Sequence, residues 1–374
     1  MEHGSLQRSA VLSAGGKNGA DVLVDIIYQR LSTVEARPID WLWPGRIAKG
    51  KFSILVGNAG LGKSQICASL AAVTSIGGRW PVDRTEAERG SVVILSAEDD
   101  PEDTIRPRLE VAGADLECVY IFHAIKAENE QGDEFKRSFN LAADVVRLAA
   151  LIQHINKEGP PVSLVVIDPL SAYLGNADSH NNAEVRALLS PLQTMAAMLR
   201  VAVLGVSHLT KAAGMDALLR LQGSVAFGAA ARVVWGITKD KDNDQRRLML
   251  PLKNNLGTDN SGFAYSIESC ALEQSDPVIG TSRVMWESEK ITVSADEAFA
   301  QGAKDYSEHS TIEEAKDFLR DQLANGAMKA NDIIKGAKGA GVSEATLRRA
   351  KTDLKVTAAQ DDFHGPWYWR LPSQ

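Results

Sequence analysis

The sequence predicts an α/β fold with a mostly parallel sheet, an antiparallel extension of that sheet and a small domain at the C-terminal end. Short apolar segments without polar alternation are separated by segments of helical periodicity, which is typical of a parallel sheet flanked by helices on both faces. After Gly223 the apolar segments follow one another closely, as antiparallel strands do. A polar segment then separates these strands from a second group of helices.

The composition is that of a globular protein with more than one domain. Of the 374 residues, 44% are hydrophobic and 24% are charged, so a sizeable core is expected. No apolar run approaches the roughly 18–20 residues that cross a bilayer, and no basic-then-apolar leader is evident, so we expect a cytoplasmic protein without membrane contact. Cys67, Cys118 and Cys270 lie far apart, which predicts neither disulfides nor a zinc site. The net charge of −7 does not exclude nucleic acid, because a channel can concentrate a few basic residues.

Individual elements follow from apolar periodicity. Parallel strands are predicted at Phe52–Gly57, Ser91–Ser96, Val119–Ile125, Leu164–Ile167 and Val201–Val206. Helices between them are predicted at Ser64–Ile76, Asn140–Lys157 and Glu184–Arg200. The antiparallel extension is predicted at Val233–Thr238, Leu248–Lys253, Phe263–Glu268 and Arg283–Glu287.

The same pattern predicts a division into domains. Residues 1–37 form a tail and a lead-in helix (Asp21–Leu31), residues 38–293 the α/β core, residues 294–310 a linker and residues 311–374 the C-terminal domain. A capping box at Thr311–Glu314 opens a helix to about Ala324. Further helices are expected at Asn331–Gly339 and Ser343–Leu354, with a final strand at Phe363–Leu371. Three helices followed by a hairpin make a winged-helix plan.

Residues Gly57–Ser64 match the pattern GxxxxGK[ST] between a buried strand and a helix, which predicts a site for ATP. The glycines allow a tight turn whose N–H groups point at phosphate oxygens, and the helix N-terminus favours the same anion. The alternative is a chance glycine-rich turn. The residues expected to bind the nucleotide are Gly57, Asn58, Ala59, Gly60, Leu61, Gly62, Lys63, Ser64 and Gln65.

Two acidic strand ends complete the predicted chemistry. Asp168 ends an apolar strand and, with the hydroxyl of Ser64, is expected to hold Mg²⁺; the alternative for Asp168 is a turn or N-cap role. Glu98 follows another strand and is expected to orient the attacking water. The alternative is that Glu98, Asp99 and Asp100 cap the next helix.

These residues together resemble a known family. Gly57–Ser64, Ser96–Asp99, Val166–Leu170 and Val206–Leu209 are similar to motifs of the RepA-like branch of the RecA/DnaB superfamily, which includes plasmid and phage replicative helicases. The resemblance runs from about Pro38 to about Trp286. It implies a RecA-like core that assembles as a ring, expected to be a hexamer, with ATP at subunit interfaces.

The resemblance also implies roles for single residues. Glu98 matches the catalytic glutamate, and His208 matches a sensor of the γ-phosphate. Arg232 matches an arginine finger that reaches a neighbour's ATP, the alternative being a sheet-edge arginine paired with an acid. Lys253 resembles a lysine that also acts across the interface. The chain departs from the DnaB pattern at Asn255, where those helicases carry an arginine, so the choice between Arg232 and Lys253 stays open.

Candidate contacts with nucleic acid lie in two loops and in the C-terminal domain. Gly175–Ala183 and Thr210–Gln222 follow strands, and Lys211 and Arg220 in the second loop could grip the phosphates of single-stranded DNA; otherwise both are solvated surface loops. The third C-terminal helix carries Arg348, Arg349 and Lys351, as a recognition helix would. That domain could equally dock a replication protein.

The leading functional prediction is a DNA-stimulated, ring-forming ATPase that acts on single-stranded DNA. It would translocate on DNA or unwind it in phage or plasmid replication or recombination. One alternative is a regulatory or helicase-loading ATPase that never unwinds. A second is a small-molecule P-loop kinase, for which the sequence offers neither a lid nor an acceptor pocket.

Overall fold

The computed structural model describes residues 29–128, 133–175, 182–208, 225–257, 261–299, 328–339, 344–360 and 367–370, with 315, 316, 319 and 323. The chain forms two compact units, Met1–Pro38 and Ile39–Gln374. Within the described residues of the first unit, Leu31–Thr33 form a 3-10 turn; most of the expected lead-in helix lies outside the described residues. Among the described residues, no helix is long and apolar enough to span a membrane.

The second unit contains the regular elements. Its strands are β1 (Trp41–Trp43), β2 (Ile47–Ala48), β3 (Phe52–Gly57), β4 (Ser91–Ser96), β5 (Val119–Ile121), β6 (Ile125–Glu128), β7 (Glu134–Arg137), β8 (Val162–Asp168), β9 (Ala202–Ser207), β10 (Val233–Lys239), β11 (Arg247–Asn254), β12 (Gly262–Leu272), β13 (Ile279–Ile291), β14 (Met328–Lys329), β15 (Thr357–Gln360) and β16 (Trp367–Arg370). Its α-helices are α1 (Lys63–Ile76), α2 (Arg106–Val111), α3 (Val145–Glu158), α4 (Asn182–Leu199), α5 (Val225–Ala230), α6 (Ala330–Gly339) and α7 (Glu344–Asp353).

A nine-stranded sheet runs in the order β13-β12-β11-β10-β3-β9-β8-β4-β5. The pairs from β10 to β5 are parallel, and β11, β12 and β13 extend the sheet by antiparallel pairing. The fold is therefore α/β with a large, mostly parallel central sheet, consistent with a RecA-like core. The strand predicted at Val233–Thr238 pairs antiparallel with β11, as expected, but it also pairs parallel with β3, so β10 joins the two parts of the sheet. The segment from β9 to β10 is long enough for the crossover that parallel pairing requires.

Two predicted bounds are wrong for local reasons. The expected strand Val119–Ile125 ends at Ile121, because the chain leaves the edge of the sheet and Phe122 packs edge-on against Phe139, with ring centroids 5.4 Å apart. Ile125 then begins β6, which pairs with β7. The expected helix Asn140–Lys157 begins only at Val145, since the side-chain oxygen of Asn140 accepts from the backbone N–H of Ala142 (2.8 Å) and forms a turn.

The helices cover both faces of the sheet. Successive strand residues point to opposite faces. Thus Ile54 and Val56 of β3 belong to a core shared with α3 and α4, whereas Leu55 belongs to a core shared with α1 and α2. All three side chains are at most 1% exposed. Because both faces of the strand are covered, its sequence is apolar without interruption.

The β12–β13 hairpin curls over α1. The buried Tyr265 hydroxyl on β12 donates to the carbonyl of Leu61 (2.8 Å), and the indole N–H of Trp286 on β13 donates to Ser69 Oγ (3.0 Å). Trp43 stacks on Phe263 with ring centroids 5.0 Å apart, which fastens β1 to the same hairpin. Helix α1, which follows the glycine-rich bend, is therefore enclosed between the parallel part of the sheet and the antiparallel extension of that sheet.

The C-terminal elements have a core of their own. There β14, β16 and β15 form a three-stranded sheet, in that order. Buried residues from α6, α7 and this sheet join residues of the predicted first helix; the cluster contains Ala315, Leu319, Leu323, Ala330, Ile333, Ala337, Leu347, Ala350, Val356 and Trp369. Ser343, the expected first residue of the third helix, and most of Thr311–Ala324 lie outside the described residues. The winged-helix plan therefore stays a prediction.

The expected linker 294–310 includes residues that pack on the α/β core. Phe299 is buried, and a β-carbon on Gly236 would lie 2.5 Å from the ring. Ala295 and Ala298 pack against the same core. The first residues of this segment thus belong with the core.

A buried carboxylate organises the start of α3. The side chain of Asp144 is 0% exposed; its oxygens accept from both terminal nitrogens of Arg137 (2.6 and 2.7 Å) and from Arg147 (2.6 Å). The hydrogen bonds from Arg137 lower the pKa of Asp144 to about 2, although burial opposes this shift.

We expect Asp144→Asn to lower the free energy of unfolding by about 2–3 kcal/mol at neutral pH, because hydrogen bonds to a charged group are lost and Arg137 loses its carboxylate. A carboxyl with a lowered folded-state pKa contributes stability above its ordinary pKa and loses it as the pH falls towards 2. The difference between wild type and variant should therefore shrink between about pH 4 and pH 2.

Urea unfolding at several pH values measures this difference. Glu86→Ala, which removes the exposed ion pair with Arg79, is the control and should cost at most about 1 kcal/mol. An Asp144→Asn effect as small as that of the control at pH 7 would contradict the prediction.

Candidate functional site

Four parallel strands bring their carboxyl ends to one edge of the sheet. The Cα register pairs Val56 of β3 with Ser207 of β9. It also pairs Ser96 of β4 with Asp168 of β8. Residues that directly follow these strands therefore meet at this edge, where α/β sheets bind ligands.

The glycine-rich bend between β3 and α1 depends on missing β-carbons. Gly62, the residue before α1, has φ +87°, a left-handed conformation that favours glycine. A β-carbon there would lie 2.4 Å from Ile267 Cδ1 of the hairpin. At Gly57 a β-carbon would lie 2.7 Å from the carbonyl oxygen of Ile237. Since α1 begins directly after the bend, its N-terminus can favour an anion held there.

Lys63 is buried and directed back into the bend. Its ammonium donates to the carbonyls of Gly57 and Asn58, each at 2.9 Å, and lies 3.3 Å from His208 Nδ1. Because an ammonium can only donate, Nδ1 accepts and the imidazole is neutral. Burial lowers the pKa of Lys63 to about 8, against the opposing attraction of Asp168 and Glu98.

Asp168 lies beside Lys63 and Ser64. Burial raises the pKa of Asp168, while a hydrogen bond from Ser64 and the charge of Lys63 oppose the shift. A hydroxyl and a carboxylate in contact are the protein ligands that Mg²⁺ uses beside phosphate oxygens. Asp168 and Ser64 therefore fit the metal role.

Glu98 and His208 border the same space from neighbouring strands. Glu98 follows β4 and is exposed to the cleft. His208 follows β9; burial lowers its pKa, and the nearby charge of Lys63 lowers it further. Asp100, by contrast, accepts from the N–H of Glu102 (3.1 Å) and caps the next helical turn.

A cleft of about 310 Å³ joins these residues. Its lining includes predicted nucleotide-site residues from Ala59 to Gln65, together with Glu98, Asp168 and His208. Its chemistry fits a triphosphate with Mg²⁺: one ammonium, N–H groups of a helix N-terminus, and a hydroxyl–carboxylate pair.

Further residues that were not predicted from the sequence line this cleft. Arg108 of α2 donates to Asp99 (2.6 Å), and Ile267 and Ser282 come from the hairpin. Gln65 lies 2.6 Å from Ser282 Oγ. Their positions in sequence carry no motif, and only the curl of the hairpin over α1 brings Ile267 and Ser282 to the site.

Arg232 lies at the opposite edge of the sheet. Its backbone N–H donates to the carbonyl of Phe52 (2.9 Å), at the start of β3, and its side chain is exposed. Gly57 lies five residues further along β3, which corresponds to about 17 Å. The Arg232 side chain therefore cannot reach the glycine-rich bend of its own chain.

Lys253 is close to Arg232 but differs from it in its contacts. Its ammonium donates to the carbonyls of Gly228 (2.9 Å), Ala229 (3.3 Å) and Ala231 (2.8 Å). Partial burial lowers the pKa of Lys253, and the charge of Arg232 adds to this effect.

The predicted contacts with nucleic acid are only partly described. Lys211 and Arg220 lie outside the described residues. On α7, Arg348 donates to Glu344 (2.6 Å), and the ammonium of Lys351 lies 4.4 Å from the ring centroid of Trp369. Arg349 is exposed on the same helix.

A glycine-rich bend with a buried lysine, next to an acidic strand end, defines a P-loop nucleotide-binding protein. Residues 24–214, more than half of the chain, match the AAA domain family, so the chain belongs to that family of P-loop ATPases. This membership and the mostly parallel sheet agree with placement in the RecA/DnaB group. None of the curated proteins matches the chain. Among solved structures, one described as an ATPase domain matches 58% of this chain and 82% of its own chain at 15% identity, with a TM-score of 0.41.

We expect nucleotide affinity to fall as the pH rises above about 8. In the nucleotide-free protein Lys63 loses its proton near that pH, whereas a bound polyphosphate would raise its pKa again. Binding should therefore take up a proton at pH 9, with affinity falling by up to about tenfold per pH unit.

Titration calorimetry in buffers with different ionisation enthalpies measures this proton uptake. Lys63→Arg keeps its charge and is the control; its affinity, although lower, should not change between pH 7 and pH 9. If the wild type takes up no proton on binding at pH 9, the pKa of Lys63 is not lowered to about 8 and the prediction is wrong.

Proposed function

We propose that this protein is an ATP-hydrolysing motor of the RepA-like type that assembles as a hexameric ring. It acts on single-stranded DNA, either as a translocase or as a helicase that unwinds duplex DNA. The observation that carries the proposal is a division between the two edges of the sheet. One edge holds groups for the phosphates, the metal and the water, whereas Arg232 is exposed at the other edge.

In this proposal each residue at the cleft has a separate task. Lys63 binds the β- and γ-phosphates, and Ser64 and Asp168 hold Mg²⁺, which neutralises charge on the phosphate oxygens. Glu98 orients the attacking water, since its carboxylate is exposed to the cleft beside this pair. His208 contacts Lys63 and can respond to the γ-phosphate.

Arg232 completes the reaction in a neighbouring subunit. Since it is about 17 Å from its own glycine-rich bend, any nucleotide that it contacts belongs to a second copy of the chain. An arginine supplied in this way stabilises transition-state charge and typically raises kcat by about 10³–10⁵-fold. Hydrolysis is thereby tied to assembly.

The remaining assignments concern the DNA and the domain plan. We propose that Lys211 and Arg220 face DNA in the ring and that residues 38–293 form the motor, with a linker in 294–310 that begins after Phe299. Residues 311–374 form a winged-helix module that binds DNA through Arg348, Arg349 and Lys351 or docks a replication protein. Residues 1–37 lead into the motor.

The decisive experiment combines mass and activity. Mass measurement with ATP-γ-S and a single-stranded oligonucleotide should give a ring, and the ATPase rate per subunit should fall on dilution and rise with the oligonucleotide. A strand-displacement assay then separates the motor from a loading ATPase, which would be stimulated without displacing a strand. A monomer under all conditions would refute the proposal.

We expect Glu98→Gln to lower kcat by about 10²–10⁴-fold while nucleotide affinity stays within severalfold of wild type, because it removes only the group that orients water. Lys63→Ala should instead abolish nucleotide binding.

Asp100→Asn is the matched control, since Asp100 caps a helix beside the cleft, and the kcat of this variant should be nearly unchanged. Fluorescent-nucleotide binding and steady-state ATPase assays measure the difference. A Glu98→Gln enzyme with normal kcat would exclude this role.

Mixing two inactive variants tests whether Arg232 acts between subunits. Lys63→Ala subunits keep Arg232, and Arg232→Ala subunits keep an intact P-loop. In a random one-to-one assembly about one interface in four joins two intact halves, so the mixture should recover activity that neither variant has alone. If the mixture has only the mean activity of its two components, Arg232 does not act in trans.

A further inference from the structure

Lys253 forms the C-terminal cap of α5. Its ammonium has three donors, and three carbonyl oxygens in the last turn lie within 3.3 Å, those of Gly228, Ala229 and Ala231. A cation at a helix C-terminus is stabilised by the unpaired carbonyls there. The hydrogen-bonding capacity of the ammonium is therefore used within its own chain.

The same contacts hold the backbone of Arg232. Lys253 binds the carbonyl of Ala231, the preceding residue. The N–H of Arg232 donates to Phe52 (2.9 Å), and its carbonyl accepts from the N–H of Asn255 (3.0 Å). The backbone on both sides of Arg232 is thus tied to β3 and β11, while its side chain remains exposed.

Further contacts anchor α5 itself. Phe227 is 1% exposed within the core, and Gln193 of α4 donates through its side-chain amide to the carbonyl of Ala230 (2.9 Å). Five carbonyls, those of residues 228–232, are thus engaged from outside the helix. To reach a neighbouring nucleotide, Lys253 would have to leave three of them, and α5 would lose its cap.

We propose that Lys253 is a positioning residue, which holds Arg232 at the subunit edge from within the same chain, and is not a second cation delivered to the neighbour's nucleotide. This inference rests on the proposed role of Arg232. Asn255 contributes to this arrangement through its backbone N–H, which donates to the carbonyl of Arg232.

Hydrogen exchange tests the cap without any catalysis. In dilute, nucleotide-free Lys253→Met, the amide of Ala231, which donates to Phe227, should exchange about five- to tenfold faster than in wild type. Lys253→Arg, which keeps a donating cation, should recover part of the protection. Lys51→Met removes an exposed lysine at the same edge and is the control, with no change expected at Ala231. Unchanged exchange in Lys253→Met would overturn the proposal.

A double-mutant cycle tests how Lys253 affects hydrolysis. Lys253→Met should lower kcat by up to about 10²-fold through misplacement of Arg232, with little change in KM for ATP. If Lys253 acts only through Arg232, the double variant with Arg232→Ala should be no slower than Arg232→Ala alone. If the double variant instead loses kcat by the product of the two single losses, the positioning role is overturned, because Lys253 would then act on the nucleotide independently of Arg232.

The two proposals fail in different ways. A normal kcat in Arg232→Ala would refute the trans role of Arg232, and the positioning role in hydrolysis would fall with it. If the losses of kcat multiply in the cycle, while a mixture of Lys63→Ala and Arg232→Ala subunits recovers activity, only the inference about Lys253 is refuted. Lys253→Gln repeats the cycle if Lys253→Met does not fold.

Discussion

The buried ammonium of Lys63 must be surrounded by acceptors, and this requirement explains how the strands, the bend and the acidic residues are arranged. Burial disfavours the charge of Lys63, and carbonyls of the glycine-rich bend, together with the Asp168 carboxylate, offset that cost. These groups can meet only because parallel strands end at one edge of the sheet. The strand order adds His208, since β9 lies between the strand of the bend and the strand of Asp168.

The antiparallel extension closes this site from outside. The hairpin of β12 and β13 passes over α1, bonds to Leu61 and Ser69, and places Ile267 against Gly62. A larger residue at position 62 would therefore be strained by its φ angle, and the Ile267 side chain would have to move. The missing β-carbon thus serves both the phosphate bend and the contact with Ile267.

The two edges of the sheet divide the chemistry. The edge with Lys63 and Asp168 has groups that fit phosphate and metal, and at the other edge the backbone of Arg232 is hydrogen-bonded on both sides. Since the length of a strand separates them, one chain cannot bring both to one nucleotide. In the proposed ring a second copy would supply Arg232, which is a physical reason why hydrolysis would depend on assembly.

The features that depend on local chemistry could be predicted from the amino-acid sequence. The bend at Gly57–Ser64, the buried strands and Asp168 were predictable because missing β-carbons, apolar runs and a terminal carboxylate leave a pattern over a few neighbouring residues. Strand pairing, in contrast, follows from the three-dimensional packing. That packing paired β10 parallel with β3, ended β5 at Ile121, brought Ser282 to Gln65 across a sequence separation of 217 residues and placed Lys253 at the end of α5. Such contacts depend on the path of the whole chain, because long-range packing selects among pairings that local propensity leaves equal.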